Sequence, residues 1–152
     1  MTPDKLPTLF LVEDNGDDVF FMKRAISAAG IAHPLEVAQD GQAAIDYLSG
    51  RGEFADRKRF PVPFLMFLDL KLPHKSGLEV LEWIRSQTAL RTLIVLVLTS
   101  SREESDVTKA YSFGANSFLV KPPSGLQLNE LVKLIRTYWL ENPQIAMPRV
   151  GK

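Results

Sequence analysis

The chain has 152 residues, of which 45% are hydrophobic, and its 18 basic residues balance its 18 acidic ones. This length suits one domain with a sizeable core, and the balanced charge disfavours a general nucleic-acid-binding surface, which needs a clustered basic excess. The absence of cysteine excludes disulfides and cysteine chemistry, and without a bilayer-length apolar stretch or a signal-peptide pattern we expect a cytoplasmic protein.

Five short apolar runs alternate with helical patterns along the chain. We predict strands at Thr8–Val12, Leu35–Ala38, Phe64–Leu68, Leu93–Leu98 and Ser117–Val120. Three of these runs are almost continuous in large apolar residues, which is typical of parallel strands covered on both faces. The second run alternates polar and apolar residues, which favours an edge strand. Regular alternation of strands and helices predicts an α/β fold with a doubly wound parallel sheet.

The helices between the strands are marked by apolar spacing and by their first residues. Apolar residues at helical spacing predict helices near Asp18–Ala28 and Gln42–Leu48. The other three helices begin with matches to the capping box, in which two side chains satisfy free backbone N–H groups. These matches are Ser76–Glu79, Ser101–Glu104 and Ser124–Gln127. We expect the last helix to bury four aliphatic side chains: Leu128, Leu131, Val132 and Ile135.

Two segments lie outside the regular alternation. Ser49–Pro63 is rich in Gly, Arg and Pro and is predicted to be a long polar loop before the third strand. Residues 141–152 contain proline and are predicted to be an irregular tail. We therefore expect an N-terminal extension at residues 1–7, one domain at residues 8–140 and a tail at residues 141–152, with no DNA-binding domain after it.

Carboxylates follow two of the predicted strands. Glu13 and Asp14 come directly after the first strand, and Asp69 follows the third. Ligands of open parallel sheets bind at the carboxyl ends of the strands, beside the switch in strand order, and the two strands are neighbours there if the order is 2-1-3-4-5. Like charges brought together in this way favour a bound cation. Oxygen ligands are suited to Mg²⁺.

Complementary groups follow the last two strands. Thr99 supplies a hydroxyl after the fourth strand, and Lys121 supplies an ammonium group after the fifth. A carboxylate nucleophile, a metal ion, a hydroxyl and a lysine form a set suited to phosphoryl transfer. Each residue also has an ordinary structural interpretation: Asp14 could cap the first helix, and Asp69 could be a turn residue. The coincidence of all the groups at strand ends of one sheet favours the functional interpretation.

Four segments resemble the signature segments of response-regulator receiver domains. They occur in the family's order, and the resemblance covers roughly Thr8 to Trp139. It implies the flavodoxin-like receiver fold, so the strand order 2-1-3-4-5 comes from the resemblance rather than from the residues alone. The segments are Val12–Asn15, Leu68–Gly77, Leu98–Ser100 and Phe113–Pro122.

The resemblance implies a phosphoacceptor and a magnesium site. Asp69 is expected to accept a phosphoryl group from the histidine of a kinase. Mg²⁺ is expected to be bound by Asp14, by Asp69 and by the backbone carbonyl of Lys71, while Glu13 binds it directly or through water. Glu13 stands where the family more usually has aspartate, and its longer side chain could change the metal geometry.

The resemblance also implies how the phosphoryl group is sensed. Thr99 is expected to bond to the phosphoryl oxygens, and Lys121 to pair with the acyl phosphate. Phe118 stands at the aromatic switch position of the family, although a phenylalanine packed in the core would give the same pattern. The Lys121–Pro122 peptide bond is expected to be cis, which only a following proline makes reasonable.

The expected function follows from these roles. The Glu13–Asp18 segment and the long loop are similar to those of the small stand-alone regulators paired with bacterial phytochromes. We expect a response regulator that is not an enzyme for another substrate, but promotes its own phosphorylation and slow autodephosphorylation. Its expected partners are a sensor histidine kinase such as a phytochrome and a second copy bound through the fourth helix, fifth strand and fifth helix. Neither nucleic acid nor membrane is an expected partner.

Three other functions fit the same architecture. A flavodoxin-like flavin binder would need a Ser/Thr/Gly-rich phosphate loop after the first strand, where this chain has Glu13–Asp18. A dehalogenase-type phosphatase would need a second aspartate two residues after Asp69, where this chain has Lys71. A pseudo-receiver that binds partners without phosphorylation would be expected to lack the site, but Asp14 and the other site residues are all present.

Overall fold

The computed structural model describes residues 6–142. Residues 1–5 and 143–152 lie outside the described part, so the predicted domain boundaries stay predictions. No helix in residues 6–142 combines the length and the apolar character needed to cross a membrane. The described chain forms two compact units, one of residues 6–15 with 33–121 and the other of residues 16–32 with 122–142.

Five strands and five helices alternate along the chain, as predicted. The strands are β1 (Leu9–Val12), β2 (Leu35–Ala38), β3 (Leu65–Leu68), β4 (Ile94–Thr99) and β5 (Ser117–Val120). The helices are α1 (Gly16–Ala28), α2 (Gly41–Ser49), α3 (Gly77–Ser86), α4 (Glu104–Ser112) and α5 (Gly125–Ile135). Each strand begins and ends within one residue of its predicted bounds.

The first unit is built on a parallel sheet in the order β2-β1-β3-β4-β5, which confirms the predicted fold class. β2 lies at one edge, as its alternating pattern indicates. In register, Val12 of β1 pairs with Leu68 of β3, so the two strands end at the same level. The side chains at Phe10, Val12, Met66 and Leu68 form a continuous core with the apolar residues of α2 and α3. This core fixes the sheet edge at which the carboxylates emerge.

The three predicted capping boxes have different outcomes. The box at Ser76 is confirmed, because Ser76 Oγ accepts a hydrogen bond from the Glu79 N–H at 3.2 Å and Glu79 Oε1 accepts one from the Ser76 N–H at 3.0 Å. Ser124 caps α5 through the Gln127 N–H at 3.2 Å, but its hydroxyl donates to the Gln127 side chain. The box predicted at Ser101 is wrong: α4 begins only at Glu104, and Ser101 Oγ bonds elsewhere.

The segment Ser49–Pro63 is a loop before β3, as predicted, with one 3₁₀ turn at Gly52–Phe54, but the packing of its aromatic residues was not predicted. Phe54 and Phe60 pack against the buried Tyr47 ring, with centroids at 5.2 and 6.0 Å. Arg57 donates hydrogen bonds to two backbone carbonyls of the last turn of α2 at 2.7 and 2.8 Å. Phe54 and Phe60 therefore extend the core around Tyr47, although most residues of the segment are polar or exposed.

The second unit contains α1 and α5. A wider turn at Arg136–Leu140 follows α5, and the Arg136 guanidinium donates a hydrogen bond to the Ala29 carbonyl. Of the four side chains predicted to be buried in α5, Val132 and Ile135 are buried. Leu128 and Leu131 are only half-buried, so the prediction is confirmed for two of the four side chains.

The Lys121–Pro122 peptide bond is trans, as are all peptide bonds between described residues. The expectation of a cis bond is therefore wrong. The trans form is the lower-energy form even before proline, by about 0.5–1 kcal/mol.

Candidate functional site

Three carboxylates meet at the carboxyl ends of β1 and β3. Oxygen atoms of Glu13, Asp14 and Asp69 all lie within 4.8 Å of one another. The strand register causes this, since Glu13 and Asp69 follow the paired residues Val12 and Leu68. The backbone is fixed there too: the Asp69 N–H donates to the Val12 carbonyl at 3.2 Å. The sheet therefore places three acidic groups in one small volume.

Lys121 bridges two of these carboxylates. Its Nζ lies 2.6 Å from Glu13 Oε1 and 3.0 Å from Asp69 Oδ2. The lysine reaches this position because it follows β5, and its N–H donates to the Thr99 carbonyl at 2.8 Å. The side chains of Lys121, Glu13 and Asp69 are only 19%, 4% and 9% exposed. Charged groups that are so little exposed to solvent need a partner of opposite charge, and Lys121 forms an ion pair with each of the two carboxylates.

The pKa of Glu13 is shifted by its position in this cluster. Burial raises its pKa to about 7, and the negative charge of Asp69 acts in the same direction. The hydrogen bond from Lys121 and the Asn15 N–H, which donates to Glu13 Oε2 at 3.2 Å, lower the pKa and only partly offset burial. The cluster holds three carboxylates and the ammonium group of Lys121, an excess of acidic groups that favours the addition of a cation.

Hydrogen bonds fix the side chain of Asp69, and close packing fixes its backbone. Its Oδ1 accepts a hydrogen bond from the Lys71 N–H at 3.3 Å, while Oδ2 faces Lys121. The first turn of α3 lies directly on the backbone of Asp69, since a Cβ added at Gly77 would fall 2.2 Å from the Asp69 carbonyl oxygen. The Gly77 N–H donates to the Leu70 carbonyl at 2.8 Å. In the sequence, Gly77 was named only within a capping box and as the last residue of the signature segment Leu68–Gly77, and its contact with Asp69 was not predicted.

Thr99 lies at the end of β4 and is completely buried. Its Oγ1 accepts a hydrogen bond from the Ser101 N–H at 3.4 Å. Ser101 is itself buried, and its hydroxyl donates to Asp106 at 2.6 Å. Neither Ser101 nor Asp106 was predicted as a site residue, because the short sequence motif at Ser101 pointed to a helix cap.

Phe118 lies in the middle of β5 and is half-buried. Its backbone N–H donates to the hydroxyl of the exposed Tyr111 in α4 at 3.0 Å. The ring takes part in an apolar cluster, so the core-packing interpretation describes its position, while its role as a switch stays a prediction. The buried members of that cluster are Leu70, Val97 and Ala110.

The residues of the acidic cluster fit a divalent metal ion. Their donor atoms are all carboxylate oxygens, which suit Mg²⁺ or Mn²⁺ rather than a metal that prefers sulfur. The backbone carbonyl of Lys71 as a further ligand stays a prediction.

A five-stranded sheet in this order, with acids, a hydroxyl and a lysine at its carboxyl edge, defines a receiver domain. Comparison with protein families agrees: residues 9–136 match the response regulator receiver domain family. The match covers most of the chain, and the chain therefore belongs to this family.

Known proteins and structures resemble the chain over most of its length. It is 38% identical over 135 residues to the probable methanogenesis regulatory protein FilR2 of Methanothrix harundinacea, with 87% of this chain and 83% of FilR2 covered. It is 36% identical over 133 residues to response regulator Rcp1 of Synechocystis sp., with 88% of each covered.

Two solved structures are similar to the whole fold. The phosphorylated cyanobacterial phytochrome response regulator RcpA superposes with a TM-score of 0.86 at 34% identity, with 95% of this chain and 99% of RcpA covered. The Mn²⁺-bound form of Rcp1 superposes with a TM-score of 0.84 at 34% identity, with 94% and 99% covered.

Proposed function

We propose that the chain is a single-domain response regulator that accepts a phosphoryl group on Asp69 from a histidine kinase. The observation that carries the proposal is the position of Asp69, at the end of a central strand, with two further carboxylates within 4.8 Å and Lys121 at 3.0 Å. The single-domain assignment is supported by FilR2 and Rcp1, of which 83% and 88% are matched.

In the proposed reaction a carboxylate oxygen of Asp69 attacks the phosphorus of the donor phosphohistidine. A P–O bond forms, the P–N bond of the donor breaks, and the product is an acyl phosphate on Asp69. The protein contributes mainly position and charge, as is usual in phosphoryl transfer. Lys121 compensates the negative charge beside the nucleophile, and the Thr99 hydroxyl donates a hydrogen bond to a phosphoryl oxygen.

Mg²⁺ is the proposed cofactor. When bound, it neutralises the charge of the phosphoryl oxygens and aligns the reacting groups. Asp14 and Asp69 would hold it directly, the carbonyl of Lys71 would add a ligand, and Glu13 would bind directly or through water. The oxygen-only cluster supports this proposal, as does the Mn²⁺-bound form of Rcp1.

The proposed kinase partner is a phytochrome, because RcpA is a cyanobacterial phytochrome response regulator. Phosphotransfer from a panel of purified kinases tests this partner directly. Transfer from a kinase without a phytochrome module, at a rate far above that from the phytochrome, would contradict the assignment.

A homodimer with contacts from α4, β5 and α5 is the proposed output state. α4 buries only Ala110 and exposes Tyr111. α5 exposes Leu126 and Leu134, and the turn that follows it exposes Tyr138. Exposed apolar side chains of this kind are common at interfaces. The tail residues Ile145, Met147 and Val150, which we also expect at this interface, lie outside the described residues.

The phosphoacceptor is tested with the intact protein, Mg²⁺ and acetyl phosphate as a small phosphodonor. We expect intact-mass measurement to show one added phosphoryl group on the wild type, none on Asp69→Asn, and wild-type labelling of Asp46→Asn. Asp46 is a suitable control because it is a carboxylate on α2, outside the acidic cluster. Equal labelling of Asp69→Asn, or an acid-stable phosphate, would refute the proposal.

A further inference from the structure

A hydrogen-bonded network joins the first turn of α4 to the end of β4. The hydroxyl of Ser101 donates to Asp106 Oδ2 at 2.6 Å and accepts a bond from the Glu103 N–H at 3.3 Å. A short bond to a carboxylate is stronger than a bond between neutral groups. Glu103, the residue before the helix, makes no side-chain cap. Asp106 therefore fixes Ser101 in one orientation.

Ser101, fixed in this orientation, is in turn hydrogen-bonded to Thr99. The Ser101 N–H donates to Thr99 Oγ1 at 3.4 Å, and both residues are buried. A threonine hydroxyl has one hydrogen to donate and two lone pairs to accept with. Once the Ser101 N–H occupies a lone pair, the O–H is directed away from Ser101. It is then available to donate to a phosphoryl oxygen, without solvent to offer competing partners.

We propose that Asp106 is a positioning residue for phosphoryl uptake, acting through Ser101 on the hydroxyl of Thr99. This inference rests on the proposed function, in which Thr99 donates to the phosphoryl group. Asp106 touches neither the donor nor Asp69. Its contribution is the orientation of a donor before the phosphodonor arrives, which removes the need to order that group during the reaction.

A purely structural role for Asp106 is the competing explanation. An acidic residue in the first turn of a helix stabilises that helix through its dipole. Such an effect would lower stability when Asp106 is removed, but it would not depend on the presence of the Thr99 hydroxyl. The two roles are separated by a double-mutant cycle, which measures whether two residues act through one another.

The experiment measures the rate of Asp69 phosphorylation by acetyl phosphate and Mg²⁺ in the intact chain. In this reaction the Asp69 carboxylate bonds to phosphorus, the P–O bond of acetyl phosphate breaks, and acetate leaves. Asp106→Ala and Ser101→Ala should each slow uptake by about fivefold to tenfold, the effect of losing one oriented hydrogen bond. Asp106→Asn keeps an oxygen acceptor for Ser101 and should stay close to the wild-type rate.

The decisive comparison repeats these substitutions in Thr99→Val, which keeps the shape of the side chain but lacks the hydroxyl. There Asp106→Ala and Ser101→Ala should cause no further slowing. Ser105→Ala, an exposed change in the same turn of α4, should leave the rate unchanged in both backgrounds. Thermal unfolding of every variant separates rate effects from loss of fold.

Each outcome has one meaning. The inference is wrong if Asp106→Ala phosphorylates at the wild-type rate, or if it slows uptake equally with and without the Thr99 hydroxyl. Should Asp106→Ala fail to fold, Ser101→Ala, which keeps the backbone N–H, decides the question by the same two comparisons. A wild-type chain that takes up no phosphoryl group on Asp69 refutes the proposed function itself, and the inference with it.

Discussion

Gly77 is the residue at which the packing of the site can be tested most directly. It is the first residue of α3, after the cap Ser76, and an added Cβ would meet three backbone atoms. These are the Asp69 carbonyl oxygen at 2.2 Å, the Leu70 Cα at 2.6 Å and the Asp69 carbonyl carbon at 2.9 Å. No side chain can rotate to relieve these contacts. Gly77→Ala therefore requires the backbone of Asp69 or of α3 to move by roughly 1 Å.

The magnitude follows from two opposing effects. Overpacking against rigid neighbours costs about 1–3 kcal/mol, while alanine in place of glycine lowers the entropy of the unfolded chain and returns about 0.4–1 kcal/mol. Because these contacts are with backbone, we expect a net loss of about 2 kcal/mol. In a chain of this size such a loss lowers the melting temperature by about 4–8 °C. Asp69 should also be phosphorylated more slowly, because its backbone is displaced.

Gly125 supplies the matched control. It is the first residue of α5, follows the cap Ser124, and has nothing within 4 Å of an added Cβ. Gly125→Ala should therefore be neutral or stabilising by up to about 1 kcal/mol. Urea unfolding of both variants measures the difference. Equal stability of Gly77→Ala and Gly125→Ala would refute the argument that α3 rests on the backbone of Asp69.

Three further predictions follow from individual contacts. Burial raises the pKa of Tyr47 to about 12, so the folded state binds the phenol proton more tightly than the unfolded state does. This difference contributes about 2–3 kcal/mol to the free energy of unfolding. The contribution is fully present below about pH 10 and should be lost as the pH rises towards 12. Urea unfolding of Tyr47→Phe should lack this slope. Arg57→Ala should lower the free energy of unfolding by about 1.5–3 kcal/mol, because it removes hydrogen bonds to backbone carbonyls. Arg59→Ala removes an exposed guanidinium that lies 5.1 Å from the Phe60 ring centroid, and should lower it by less than about 1 kcal/mol. Asp14→Ala should weaken Mg²⁺ binding by roughly tenfold or more in a calorimetric titration; unchanged affinity would exclude the acidic cluster as the metal site.

The strands were predictable from the sequence because their signal is local. Each strand of four to six residues is mostly apolar and lies between turn-forming residues, and the residues of β1, β3 and β4 are buried throughout. Pairing between strands depends on contacts distant in sequence, so periodicity could not supply the order β2-β1-β3-β4-β5. That order came from the resemblance to a family, and the structure confirms it.

The sequence misled where a residue could make more than one set of contacts with its neighbours. At Ser101 the sequence offers a capping box with Glu104, but Asp106 presents a carboxylate at 2.6 Å from the same hydroxyl. In Ser49–Pro63 the polar composition concealed two phenylalanines that pack on Tyr47. In both cases the deciding partner is determined by the path of the chain rather than by the motif.

At the acidic site, too, the positions of the residues could be predicted from the sequence, but the contacts of their side chains could not. Parallel strand ends meet at one edge of a sheet, so the convergence of Glu13 with Asp69 could be derived once their strands were neighbours. The pairing of Lys121 with both carboxylates could not, because it depends on how the lysine side chain lies between two acceptors. The longer side chain of glutamate reaches that ammonium at 2.6 Å while its other oxygen accepts the Asn15 N–H. Glu13 therefore belongs to the charge network around Asp69 as well as to the proposed metal site, and its substitution should alter both.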